Sequence, residues 1–157
     1  MRVDIYGPSK DQSCQGPALI VHNLDQATSK IYPMPKPIGT VVPVFGKSEA
    51  LVALKDGVHC LDLQSGTLTH LCNPDPLPNN RLNDGKCSPE GRFWVGSMSE
   101  SNENQAGGLF VVERDRKTFR KVLDGVSISN GIAWTSDAKT MFYIDTPTRE
   151  VAAFDYD

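Results

Sequence analysis

Pro89-Glu90-Gly91-Arg92-Phe93-Trp94-Val95-Gly96-Ser97 sets a polar turn ahead of a short hydrophobic burst. The same arrangement occurs at residues 48–54 and again at 136–145. A second burst closing on a polar hairpin follows each copy, at residues 59–66, 109–115 and 151–157. An earlier copy starts at Val3-Asp4-Ile5-Tyr6 and continues over residues 19–25. Counting from Val52 to Trp94 gives 42 residues, and from Trp94 to Phe142 gives 48. Units of roughly 40–50 residues, each a small antiparallel sheet, are the sequence sign of a β-propeller. One such sheet cannot bury both of its faces, so it stacks on its neighbour, and Leu51, Trp94 and Phe142 are expected in the layers between sheets. An irregular sandwich with strands recurring by chance is the competing reading.

The rest of the chain agrees with an all-β fold. Gly (13) and Pro (11) are spread throughout, and no window of a dozen residues keeps an apolar period of 3.6 without a breaker. The bursts at 41–45, 50–54, 58–63, 93–95, 109–112, 132–134, 141–144 and 151–154 are strand length. At this period 157 residues make little more than three blades, whereas closed propellers have about four to eight. The expectation is therefore one partial propeller domain over residues 1–157, either a fragment of a longer propeller or a short form whose open blade edges must be covered and are available for self-association.

Composition narrows the function. Sixteen Lys plus Arg against 19 Asp plus Glu give a formal charge of −3, which argues against a nucleic-acid binder. No apolar run approaches a bilayer span, so no membrane partner is expected. Residues 1–10 carry charge and Pro8 where an export signal needs an apolar stretch, so a cytoplasmic chain is expected. Cys14, Cys60, Cys72 and Cys87 form no CxxC pair and read as reduced thiols rather than as a zinc ribbon or disulfides.

Two segments carry candidate chemistry: residues 79–86, Asn-Asn-Arg-Leu-Asn-Asp-Gly-Lys, and residues 127–134, Ser-Ile-Ser-Asn-Gly-Ile-Ala-Trp. Both read as loops that put an Asn just before a short strand. The innermost strand of each propeller blade lines the central channel, so Asn83 and Asn130 are expected to point at one shared site. An amide oxygen suits a hard cation such as calcium, and an amide NH2 can donate to a substrate oxygen. Arg81, two residues from Asn83, falls on the same face of a strand and offers a guanidinium to a carbonyl, carboxylate or hydroxyl. The competing reading is that Asn-Gly and Asn-Asp-Gly are simply good turn sequences.

Residues 81–86, Arg-Leu-Asn-Asp-Gly-Lys, followed by 89–98, Pro-Glu-Gly-Arg-Phe-Trp-Val-Gly-Ser-Met, resemble a blade signature of the regucalcin (senescence marker protein)/gluconolactonase family. Residues 129–134, 142–146 and 153–157 are similar to the following blade, and Val3-Asp4-Ile5 is similar to an early strand. The resemblance is specific from Arg81 to Asp157, looser over 37–72, and poor over 7–36, where an insertion is expected. It implies a six-bladed propeller that hydrolyses sugar lactones such as gluconolactone with a divalent cation, calcium or zinc and alternatively magnesium or manganese. By the same resemblance Asn130 is a metal ligand that also touches substrate, and Arg81 and Asn83 bind substrate. A further substrate-contacting Glu of the family falls at Glu100 or Ser101; the register favours Ser101, with Glu100 as the adjacent acid. The family's Glu ligand, in a Gly-Glu-x-Pro segment, has no counterpart here, and its Asp ligand and base is expected beyond residue 157, so no catalytic base is assigned. One neutral amide does not hold a divalent ion usefully. The expectation is a lactonase lineage with weak or no activity in these residues alone. Two other readings share the fold: a non-enzymatic calcium-binding or regulatory protein, and a half-propeller interaction module.

Overall fold

The structure is a computed structural model that describes residues 2–4 and 16–156. Ile5, Tyr6, Cys14 and Asp157, which the sequence reading invoked, lie outside the described residues. Among the described residues there is no α-helix, and every sheet is an antiparallel meander. Four sheets are described, three formed by the repeats and the first built from the early copy.

The chain divides into two compact units, Met1–Ile38 and Gly39–Asp157. In the first unit, β1 (Arg2–Asp4), β2 (Ala18–Asn23) and β3 (Thr28–Pro33) form one sheet, with Leu19 opposite Tyr32. The β2–β3 turn is set by Asn23, whose Oδ1 accepts the N–H groups of Asp25 and Gln26 at 3.0 and 3.1 Å.

In the second unit β4 (Ile38–Pro43), β5 (Glu49–Leu54), β6 (Gly57–Asp62) and β7 (Leu68–Cys72) form one sheet. The next contains β8 (Asn80–Cys87), β9 (Phe93–Ser99), β10 (Gly107–Val112) and β11 (Phe119–Val126), and the last contains β12 (Ser129–Trp134), β13 (Thr140–Asp145) and β14 (Ala152–Asp155). Each polar turn read from the sequence precedes the second strand of its sheet, and the hairpins that follow residues 59–62 and 109–112 come after the third.

Two apolar layers hold this unit together. Leu51, Ala53 and Val58 pack with Leu82, Phe93, Val95 and Phe110. Trp94, Leu109 and Val111 pack with Ile132, Met141, Tyr143 and Tyr156. Adjacent residues of β9 and β10 thus serve opposite faces, and both strands are buried throughout. Burial of this kind is worth about 1.5–3 kcal/mol per large side chain. Leu51 and Trp94 sit in these layers as expected. Phe142 does not: it is 38% exposed, because the alternation of β13 gives the inward face to Met141 and Tyr143.

Other expectations also shift. The segment at 79–86 is not a loop but most of the eight-residue strand β8, and Asn130 lies inside β12 rather than ahead of it. Phe45 is not in a strand: β4 ends at Pro43, and Gly46, at φ +72°, turns the chain and leaves Phe45 fully exposed. Strands β7 and β11 carry no apolar burst, because most of their side chains face outward.

Candidate functional site

The first strands of the three sheets in the second unit, β4, β8 and β12, meet through residues that lack or bury their side chains. A Cβ on Gly39 of β4 would lie 2.4 Å from the Leu82 carbonyl oxygen and 2.5 Å from that of Asn83, so only glycine permits this approach. Across the next junction, a Cβ on Gly96 of β9 would lie 1.7 Å from Oγ of the fully buried Ser129. That hydroxyl accepts a hydrogen bond from Tyr143 Oη at 2.8 Å, and burial pushes the Tyr143 phenol up to about 12.

At this junction both β8 and β12 are bulged. Regular pairing of β8 with β9 breaks between Leu82 and Gly85, and pairing of β12 with β13 breaks between Asn130 and Ile132. A bulge frees residues from the ladder and re-aims them. Asn83 and Asp84 of β8 use that freedom to grip β12. Asn83 Nδ2 donates to the Ser129 carbonyl at 2.8 Å and to Asn130 Oδ1 at 3.2 Å. Asp84 accepts the N–H of Gly131 at 2.9 Å through one oxygen and that of Gly85 at 2.9 Å through the other. Gly131 takes the positive φ, +48°, that the β12 bulge requires.

The result is one directed chain of hydrogen bonds. Arg81 Nη1 donates to Asn83 Oδ1 at 2.7 Å and to the Leu82 carbonyl at 3.2 Å. Asn83 donates to Asn130, and Asn130 Nδ2 donates to Thr146 Oγ1 at 2.7 Å. Since a guanidinium only donates, Asn83 must turn its oxygen to Arg81 and its NH2 to Asn130, and this in turn fixes the Asn130 amide. Arg81, Asn83 and Asn130 are all partly exposed and close the gap between two sheets. The structure brings these three side chains together. Asp84, Thr146, Ser129 and the two junction glycines were not singled out as site residues, and only the Asn-Asp-Gly context hinted at Asp84.

Glu100 follows directly after β9, where its N–H donates to the Asn79 carbonyl at 2.8 Å, one step beyond the Asn80–Ser99 pair. Its carboxylate is joined in an ion pair with Lys55. Ser101 instead shares a 2.9 Å hydroxyl contact with Ser99. Beneath Arg81, the neighbouring Asn80 is buried and donates to Asp75 and to the Ala106 carbonyl, each at 2.8 Å, which anchors the start of β8. His59 and His70 stack edge to face, with ring centroids 5.0 Å apart, on β6 and β7 and belong to no triad among the described residues.

A divalent cation needs several oxygen ligands, usually with carboxylates among them. Among the described residues no three His, Cys, Asp or Glu side chains gather as a metal site. The carboxylates nearest Asn130 are otherwise engaged: Asp84 on two main-chain N–H groups, and Asp145 on those of Ser127 and Ile128 at 2.9 and 2.7 Å. The described residues therefore do not fit a complete divalent-cation site; they offer the amide oxygen of Asn130.

Antiparallel sheets whose first strands meet at a polar junction define a β-propeller-like protein. The family described as the SMP-30/gluconolactonase/LRE-like region matches residues 14–157, and the chain belongs to it. The match reaches well upstream of the Arg81 signature, into residues that the sequence reading gave as a poor match. The chain is 39% identical to regucalcin of Xenopus laevis, over 85% of this chain and 46% of that protein. It is 34% identical to a Bacillus subtilis protein named "Putative sugar lactone lactonase YvrE", over 75% of this chain and 40% of that one. A calcium-binding regucalcin from Agrobacterium tumefaciens superimposes with a TM-score of 0.82 at 27% identity, covering 89% of this chain and 47% of that one. A luciferin-regenerating enzyme superimposes equally well, with a TM-score of 0.82 at 27% identity over 89% of this chain and 49% of that one. The chain thus spans less than half the length of the curated relatives it matches. Among the described residues no helix is long and apolar enough to cross a membrane.

Proposed function

We propose that this chain is the sugar-facing part of a sugar-lactone lactonase, with its sheets serving as consecutive blades of one partial six-bladed propeller domain. The observation that carries the reading is the hydrogen-bonded chain from Arg81 through Asn83 to Asn130, which joins two first strands in a member of a lactonase family. A lactone ring presents a carbonyl and several hydroxyls. Arg81 keeps N–H groups beyond those spent on Asn83 and Leu82, and these donate to the ring carbonyl, where negative charge develops when water adds. The Asn83 and Asn130 amides hold ring hydroxyls, and Glu100, at the rim, accepts from a further hydroxyl. Pre-aligned donors of this kind need no reorganisation as charge develops. Cation dependence belongs to the same proposal: Asn130 contributes one oxygen ligand, and the carboxylates that complete the set come from outside the described residues. No base is assigned among them.

The test is a titration of isotope-labelled protein with D-glucono-1,5-lactam, which keeps the ring, carbonyl and hydroxyls of gluconolactone but resists hydrolysis. The reading expects saturable shifts of the Asn83 and Asn130 side-chain amides that Arg81→Ala abolishes. Shifts confined to other residues, or none, overturn it. In a pH-stat, the 157 residues alone are expected to leave gluconolactone at its spontaneous rate of hydrolysis. Chelator-sensitive turnover would show instead that the cation site is complete within them.

A further inference from the structure

A second concave site lies at the other end of β8. Cys87 is four residues beyond Asn83, about 13 Å along the strand at ~3.3 Å per residue. There a cleft of about 380 Å³ opens between the β4–β5 turn, the start of β9 and the β10–β11 turn. Its floor is Leu51 and Phe93, both part of the buried core. Phe45 stands at its lip, entirely exposed, beside Gly46. Arg114 lies over Gly91 at the mouth: a Cβ on that glycine would be 3.5 Å from Arg114 Nε.

The charged groups around the cleft are unequally satisfied. Arg116 pairs with Glu49 at 2.8 Å, and its hydrogen bond is the main reason the Glu49 carboxyl sits below the usual carboxylate range. Glu113 and Glu90 face Arg92 at 3.7 and 3.3 Å. Asp115 is folded back onto the N–H groups of Lys117 and Thr118 in its own turn, at 2.9 and 2.8 Å. Arg114, in the cleft wall, has no acceptor among the described residues.

We propose that this cleft binds a small organic carboxylate with an aryl or branched-alkyl body. The body lies on Leu51 and Phe93 under Phe45, and the carboxylate meets Arg114. The volume falls in the range of small-molecule sites, about 300–1,000 Å³, and the composition, an apolar floor with one fork of donors, is that of such sites. The site is independent of the lactone reading, because it uses none of the residues around Arg81.

The probe is 4-phenylbutyrate, with 4-phenyl-1-butanol as the neutral twin of the same body. Titrated into the isotope-labelled chain, the acid is expected to shift the backbone amides of Gly91, Glu113 and Arg114 saturably at millimolar ligand. Loss of one charge-assisted pair weakens binding about tenfold or more, so both the alcohol and the Arg114→Ala variant should show that loss. Phe45→Ala should weaken acid and alcohol alike. Arg114 and Phe45 are exposed, so neither variant threatens folding. Equal affinity for acid and alcohol, or shifts that bypass the β9 and β10 ends of the cleft, would overturn the proposal.

Discussion

Replacing Asp84 by alanine removes the carboxylate that ties β12 to β8. Two main-chain N–H groups lose their acceptor, those of Gly131 and Gly85, each now at 2.9 Å. A hydrogen bond to a charged group contributes about 1.5–3 kcal/mol when buried. Asp84 is only partly buried, and water can replace the local bond to Gly85, so the cross-sheet bond dominates and the expected loss is about 1.5–2 kcal/mol. With a urea slope near 2 kcal/mol per molar, the unfolding midpoint should fall by about 0.75–1 M. Asp84→Asn keeps one oxygen and should lie between wild type and Asp84→Ala. Amide exchange supplies the local readout: the Gly131 N–H should be protected in wild type and exchange much faster in Asp84→Ala, while amides at the centre of the β5–β6 pairing keep their order of protection. A midpoint within about 0.2 M of wild type, with Gly131 still protected, would refute the claim that Asp84 holds the junction.

Three further outcomes follow from the same packing. Gly96→Ala drives a methyl to within 1.7 Å of Ser129 Oγ and should cost about 3 kcal/mol, and Ser129→Gly in the same chain should recover part of the loss in a urea melt. The Tyr143 phenol is raised to about 12 in the folded protein and sits near 10 when unfolded. Its contribution is therefore intact below pH ~10 and is lost as pH rises towards ~12, because the unfolded chain gives up the proton first. Urea midpoints measured across that window should fall less steeply for Tyr143→Phe than for wild type, and identical slopes would count against the burial of this phenol. Burial pushes the Cys72 thiol up to about 11 and raises Cys87 as well, so peptide mapping after iodoacetamide treatment at pH 8 should find both alkylated far more slowly in the native protein than in urea. Equal rates would contradict it.

The β8–β11 sheet was legible because its second and third strands are apolar on both faces. Trp94 and Val95, or Leu109 and Phe110, fill two core layers at once, and such bursts stand out against turns rich in Gly, Pro and Asp. The outer strands were not legible: β11, starting at Phe119, turns Arg120 and Lys121 to solvent and carries no pattern of its own. Strand β8 was read as a loop because Asn83 and Asp84 look like turn residues. Their polarity instead serves a bulge whose hydrogen bonds run to β12, a partner more than forty positions away that spacing does not reveal. The convergence of Arg81, Asn83 and Asn130 could be inferred from their positions on successive first strands. The commitment of Asp84 to backbone N–H groups could not, since an acid in a polar segment reads equally as a ligand, a cap or a base.

Arg81, Asn83 and Asn130 act as one hydrogen-bonded unit across two sheets. A double-mutant cycle on stability, with Asn83→Ala, Asn130→Ala and the pair compared by urea unfolding, tests it most directly. The expected coupling is about 0.5–1.5 kcal/mol, as for one partly buried hydrogen bond that each single variant already removes. Losses that add within error, leaving no coupling between the two positions, would contradict it.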